Sequence, residues 1–238
     1  MFLPACRTQA DTYCSTPTRR LRVSPAAFLA SSPSKLVRMS VLAEENQANS
    51  VWTRMLEGNK RFARGEAVHP WQDKETRESL CAGQNPSAAV LSCADSRVSP
   101  EIIFDEGLGD IFTIRSVGGV LDQAVINSLE FAVDILHVSV LVVMSHEHCG
   151  LLEAAVNSAK TGNVPPSLTY ALGEVAGTME AAEDADSQDD VERIHVSTLI
   201  MQIVERSEII ARALAAEELK IVGARYTMTN GLVEVLSF

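Results

Sequence analysis

A chain of 238 residues with 46% hydrophobic side chains is long enough to build one α/β domain around a real core. No apolar run approaches the roughly 20 residues of a membrane span. A formal net charge of −11 opposes association with nucleic acid or anionic membrane, so neither is expected as a partner. The cysteines Cys6, Cys14, Cys81, Cys93 and Cys149 are odd in number and irregularly spaced, which argues against a disulfide framework and for thiolates free to bind metal.

The charge is uneven along the chain. Residues 1–40 hold Arg7, Arg19, Arg20, Arg22, Lys35 and Arg38 against the single acid Asp11, and are rich in Ser, Thr, Pro and Ala. That composition predicts a chloroplast or mitochondrial transit peptide, with the plastid the preferred address. The alternative is a disordered tail, which would leave the protein in the cytoplasm. The domain proper is expected over residues 44–238. Its first helix is expected over Asn49 to Phe62, where Trp52, Met55, Leu56 and Phe62 fall at helical spacing. Arg77 to Cys81 reads as a second short helix. Ala88 to Ser92 is an apolar run of buried-strand type. Pro100 to Phe104 opens a helix, because proline suits a first turn. Asp110 to Arg115 alternates as a second strand, and Gln123 to Ile135 is helical.

Val138 to Met144 is the clearest strand, followed by a helix over Leu151 to Ala159 and a loop over Gly162 to Pro166. The acidic stretch Glu180 to Asp190 is expected to be solvated. Val196 to Ala216 reads as one long helix. Two strands, Lys220 to Tyr226 and Leu232 to Leu236, flank Asn230-Gly231, a hairpin signal. Strands alternating with helices predict an α/β fold with a mostly parallel central sheet flanked by helices.

Two short motifs carry chemistry. Cys93-Ala94-Asp95-Ser96-Arg97 follows the first buried strand, and His146-Glu147-His148-Cys149-Gly150 follows the strongest one. Sites in open parallel sheets gather at the carboxyl ends of strands, so the two motifs can converge. Thiolate, imidazole and carboxylate are the usual ligands of zinc, and three protein ligands with an open position mark a catalytic site. Cys93, His146 and Cys149 would make such a set, although spacing alone leaves His146 and His148 both open. Asp95 is a possible fourth ligand, and pairing with Arg97 would hold it off the metal.

In combination these motifs resemble those of the β-class carbonic anhydrases. CADSRV looks like that family's C-x-D-S-R-V, and HEHCG like its H-x-x-C-G, which favours His146 over His148. LEGNKRF at Leu56–Phe62, CAGQNP at Cys81–Pro86, the stretch Ile114–Val133 and the stretch Val222–Leu236 are also similar to family segments. The resemblance covers about residues 49–236. It implies a β-carbonic anhydrase fold with an N-terminal helical arm and closing C-terminal strands, and a homodimer or higher homo-oligomer. It implies Zn2+ as cofactor on Cys93, His146 and Cys149, and CO2 and bicarbonate as substrates. Asp95 and Arg97 become the catalytic gating pair, with Asp95 a metal ligand only in a closed site. Gln84 is placed at substrate, its alternative being a plain loop amide, and Phe112, Val117 and Val90 on the apolar CO2 pocket or, equally, in the core.

On physical grounds the Gly150 backbone N–H joins Gln84 in holding bicarbonate oxygens. His148 is a candidate proton shuttle or, preferentially, a solvent-facing bystander; His69, His137 and His195 are expected to be structural or surface residues. Ser145 stands where the family has Gly. Arg115 to Gly119 reads RSVGG where the family has R-N-x-G-N. Val90 replaces a Trp used by some bacterial members to hold an inhibitory bicarbonate, so no such switch is expected although Arg115 and Tyr226 match its other members. The rival readings are a CS2 or COS hydrolase on the same scaffold and a non-catalytic zinc protein.

Overall fold

The structure is a computed structural model that describes residues 35–237. The expected transit segment lies outside the described residues as far as residue 34, and its last six positions belong to the first helix. In chain order the elements are α1 (Lys35–Ala63), α2 (Lys74–Ser79), β1 (Ala88–Cys93), α3 (Pro100–Ile103) and β2 (Ile111–Ser116). Next come α4 (Gln123–Glu130), β3 (Val140–His146), α5 (Gly150–Thr161), α6 (Thr169–Glu174) and α7 (Ala176–Ala181). Helices α8 (Gln188–Arg206) and α9 (Glu208–Ala215) precede β4 (Lys220–Thr227) and β5 (Leu232–Ser237). Among the described residues no helix is long and apolar enough to cross a membrane.

The strands form one sheet in the order β2-β1-β3-β4-β5. The first four are mutually parallel and β5 is antiparallel on the edge. Every residue of β1 and β3 is buried, as a parallel strand covered on both faces requires. Alternation sends Ala89, Leu91, Leu141 and Val143 toward α4, α8 and α9, where they pack with Leu129, Leu199, Ile203 and Ile210. The intervening Ala88, Val90, Val140 and Val142 face α1 and α3, against Trp52, Met55, Ile103 and Phe104. Each Val, Leu, Ile, Phe or Met side chain among them contributes about 1.5–3 kcal/mol by leaving water, so the two layers supply most of the drive to fold.

Helix α1 is fastened by polar contacts as well as apolar ones. Asn59 is buried, and its amide nitrogen donates to the carbonyls of Ile103 (3.1 Å) and Gly231 (2.9 Å) while its oxygen accepts the Val233 N–H (2.9 Å). One side chain thus ties α1 to α3 and to the β4–β5 hairpin. The preceding residue must be glycine, since a Cβ on Gly58 would stand 1.8 Å from the Phe104 carbonyl oxygen.

The structure departs from the sequence expectations in four places. Helix α1 starts at Lys35 rather than near Asn49. Its first turns are coded by a Ser- and Arg-containing stretch whose composition masks the absence of Pro and Gly after Pro33. The expected helix over Val196 to Ala216 is two helices, α8 and α9, broken at Ser207 (φ −129, ψ 105). There the hydroxyl accepts the Ile210 N–H and donates to Glu130, so a cap replaces a turn without disturbing the apolar period. Helices α6 and α7 lie between the expected loop and the acidic stretch, where no element is assigned above. The acidic stretch is not wholly solvated, because Asp189 accepts a 2.7 Å bond from Arg225.

Asn59→Ala removes one side chain and orphans two carbonyls and one N–H. A loss of about 3 kcal/mol is expected from the midpoint of urea unfolding.

Candidate metal centre

Strands β1 and β3 are adjacent, with Ser92 opposite Met144. Their carboxyl ends therefore lie side by side at the point where the chain has wound outward in both directions, the usual crevice of an open α/β sheet. Cys93 ends β1 and His146 ends β3, and Cys149 follows as the N-cap of α5. The Cys93 and Cys149 sulfurs and a His146 ring nitrogen all lie within 4.8 Å of one another, and the three residues are buried.

The ring nitrogens of His146 have distinct roles. Nδ1 lies 2.8 Å from the Glu147 carbonyl. A carbonyl only accepts, so Nδ1 carries the proton and Nε2 presents a lone pair. Nε2 is buried with no hydrogen-bond partner. A bare imidazole nitrogen facing two sulfurs is the donor set of a borderline-soft divalent metal, and the residues present fit one.

Cys149, His146 and two backbone amides together favour Cys93 as a thiolate. Its sulfur accepts the N–H of Gly118 (3.2 Å) and of Asp95 (3.4 Å). The neighbouring Cys149 thiol together with His146 and these two amides outweighs burial and draws the Cys93 pKa down to about 4. Cys149, beside that charge and itself buried, is pushed up. Gly118 has φ +64, and a Cβ there would meet Leu151 Cδ2 at 2.3 Å, so only glycine serves.

Asp95 and Arg97 form a two-pronged pair. Arg97 Nε and Nη2 donate to Oδ1 (2.9 Å) and Oδ2 (2.8 Å), and the Arg97 backbone N–H adds a bond to Oδ1 (2.9 Å). Arg97 holds the Asp95 carboxyl well below the usual carboxylate range. Arg97 also reaches the His148 carbonyl (3.3 Å), joining the two motifs. Arg115 braces the loop from β2, donating to the carbonyls of Cys93 (3.1 Å) and Asp95 (2.6 Å).

Of the remaining expected residues, Val117 is exposed next to Gly118, and Gly150 opens α5. His148 points outward, 3.5 Å from Glu153, as a solvent-facing residue would. Val90 does not line the site. It stands on the opposite face of β1 from Cys93, wholly buried against the α1 layer, because the strand period is two. Phe112 pairs with Ala89, four residues along the sheet from the Cys93–Ser116 level, and its ring packs on Phe131 at 5.9 Å. Gln84 precedes β1 altogether. Five residue steps from Ala88 to Cys93 span about 16 Å, so within one chain Gln84 and Phe112 lie at the wrong end of the sheet to touch the centre.

Two supporting groups escaped sequence reading. Glu192 and Arg225 form a buried pair at 2.8 Å, with Glu192 also near the Cys149 N–H (3.5 Å). His195 is buried, the structural alternative of the two expected for it, and contacts the Gly118 carbonyl at 2.8 Å, a role that sequence alone does not indicate. Neither has a local motif; an acid and a histidine three apart inside an otherwise apolar helical face were the available signal.

The carbonic anhydrase family model matches residues 88–233, a span that contains all three donors and the Asp95–Arg97 pair. The chain belongs to the β-class carbonic anhydrases. It is 38% identical over 198 residues to the carbonic anhydrase of Mycolicibacterium smegmatis, covering 79% of this chain and 93% of that one. Carbonic anhydrase 2 of Mycobacterium tuberculosis is 38% identical over 185 residues, covering 76% and 89%. Among solved structures, the Coccomyxa β-carbonic anhydrase in complex with acetazolamide is 27% identical with a TM-score of 0.61, covering 76% of this chain and 84% of that one. As a β-carbonic anhydrase the protein catalyses the reversible hydration of CO2 to bicarbonate.

Arg225→Met leaves the Glu192 carboxylate buried and uncompensated, and should cost about 3–5 kcal/mol in urea unfolding. Arg225→Met combined with Glu192→Leu should recover most of that loss.

Proposed function

We propose that this carbonic anhydrase is a zinc enzyme in which Cys93, His146 and Cys149 hold the metal and Asp95, fixed by Arg97, manages the proton of the attacking water. The supporting observation is a partnerless His146 Nε2 set against two buried sulfurs, with Asp95 outside the donor set. Zinc, when bound, supplies a Lewis acid that makes water nucleophilic near neutral pH. The overall balance is one CO2 and one water giving one bicarbonate and one proton.

Counting lone pairs defines the task of Asp95. A carboxylate has about four acceptor positions. Arg97 fills three of them through Nε, Nη2 and its backbone N–H. One position on Oδ2 is left to accept a proton of the attacking water and so to orient it toward CO2. Gly150 N–H, at the positive end of α5, suits the developing bicarbonate oxygens. His148 is 66% exposed and adjacent to Glu153, a placement compatible with passing the released proton to solvent.

Gln84 and Phe112 can serve the site only from a second copy of the chain. Support comes from the apolar surface beside Phe112, where Phe131 and Ile135 are exposed at 42% and 57%. A fungal fold neighbour from Sordaria macrospora, 21% identical, is described as tetrameric. We take the unit to be a homodimer or a larger homo-oligomer closed over this face. The basic, Ser-rich stretch over residues 1–40 supports import into a plastid or mitochondrion. N-terminal sequencing of mature protein from the organism tests it; an uncleaved cytosolic protein would contradict import.

Cys93→Ala and His146→Ala are expected to lose zinc and CO2 hydration together, by metal analysis and stopped-flow assay. Asp95→Asn should keep zinc while kcat/KM falls about a hundredfold or more. Unchanged turnover would remove Asp95 from the mechanism, and CS2 hydrolysis faster than CO2 hydration would favour the rival hydrolase. Phe131→Glu should yield a smaller species in analytical ultracentrifugation with depressed hydration activity; an unchanged assembly would place the subunit contact elsewhere.

A further inference from the structure

His195 lies outside both metal motifs, yet its ring is fastened to the loop that hydrogen-bonds Cys93. It is 2% exposed, with Nε2 2.8 Å from the Gly118 carbonyl and Nδ1 2.8 Å from Thr178 Oγ1. The carbonyl requires the proton on Nε2, so Nδ1 accepts and the Thr178 hydroxyl donates to it. Both ring nitrogens are therefore satisfied and the tautomer is determined. Burial lowers the pKa of the ring, consistent with a neutral imidazole.

Gly118 is the link to the metal donors. It sits in the left-handed region (φ 64, ψ 7) with its N–H on the Cys93 sulfur at 3.2 Å. Glycine has wide backbone freedom, so something must hold this rotation. His195 does so by gripping the carbonyl on the other side of the same Cα. Thr178, 1% exposed on α7, in turn fixes the plane of the imidazole.

We propose that His195, oriented by Thr178, is a positioning residue that keeps the Gly118 N–H on the Cys93 sulfur and thereby tunes the charge this sulfur donates to the metal. The inference rests on Cys93 being a metal ligand. A hydrogen bond to a thiolate withdraws charge from it; partners of this indirect kind change metal affinity about 10–100-fold. Glutamine can place an amide N–H near the position of Nε2, whereas leucine cannot.

The test uses the holoprotein with zinc and with cobalt(II) in its place. His195→Leu should move the sulfur-to-cobalt charge-transfer band to longer wavelength and release zinc to a chelator about tenfold faster. His195→Gln should restore both toward wild type. A wild-type band and release rate in His195→Leu overturns the proposal, as does an equal displacement in His195→Gln, which would mean packing rather than the N–H. If His195→Leu does not fold, Thr178→Val decides, since it keeps the ring: a displaced band supports the relay and an unchanged band overturns it. Absence of any sulfur-to-cobalt band in the wild type would instead defeat the ligand reading on which the inference stands.

Discussion

Two buried sulfurs and a ring nitrogen without a hydrogen-bond partner, crowded within 4.8 Å of one another, make an arrangement suited to a cation between them. Cys149 is pushed up beside the Cys93 charge, so ionising the second buried sulfur carries a cost that apolar packing does not recover. The surrounding structure lowers that penalty without removing it. Backbone amides of Asp95 and Gly118 point at one sulfur, and the Glu147 carbonyl fixes the imidazole so that its lone pair faces inward. A divalent metal completes the arrangement by neutralising charge that the protein has gathered.

The gathering follows from the sheet. Parallel strands buried on both faces put all their polar endings at one edge, and β1 and β3 are neighbours there. Around that edge the polar side chains form a connected shell: Arg97 joins the first motif to the second, Arg115 grips the first, and His195 grips the loop between β2 and α4. The Glu192–Arg225 pair lies in the same shell against Cys149. A buried ion pair is a weak source of stability; this one ties α8 to β4 at the level where Cys149 turns into α5.

Much of this was legible from residues alone. The two central strands are apolar enough to be recognised, and each is followed at once by a motif with metal-ligand chemistry, so their convergence is legible from residues alone, while the choice of His146 over His148 rests on the family resemblance. Three things resisted. Val90 is three residues from Cys93, an odd step, so the period of two puts it on the other face of β1, with the core and not the metal donors. The break at Ser207 was hidden because a capping serine left the apolar spacing intact. His195 and Glu192 were invisible because their partners are a backbone carbonyl and an arginine more than thirty residues away. Gln84 and Phe112 show a different limit, in which a family motif names residues that one folded chain keeps apart.

X-ray absorption at the zinc edge of the purified protein tests the central claim most directly. The account predicts one zinc per chain with two sulfur neighbours near 2.3 Å and a nitrogen neighbour near 2.0 Å, the distances expected of thiolate and imidazole ligation. A metal shell of oxygen and nitrogen without sulfur, or full hydration activity in protein that holds no metal, would contradict it.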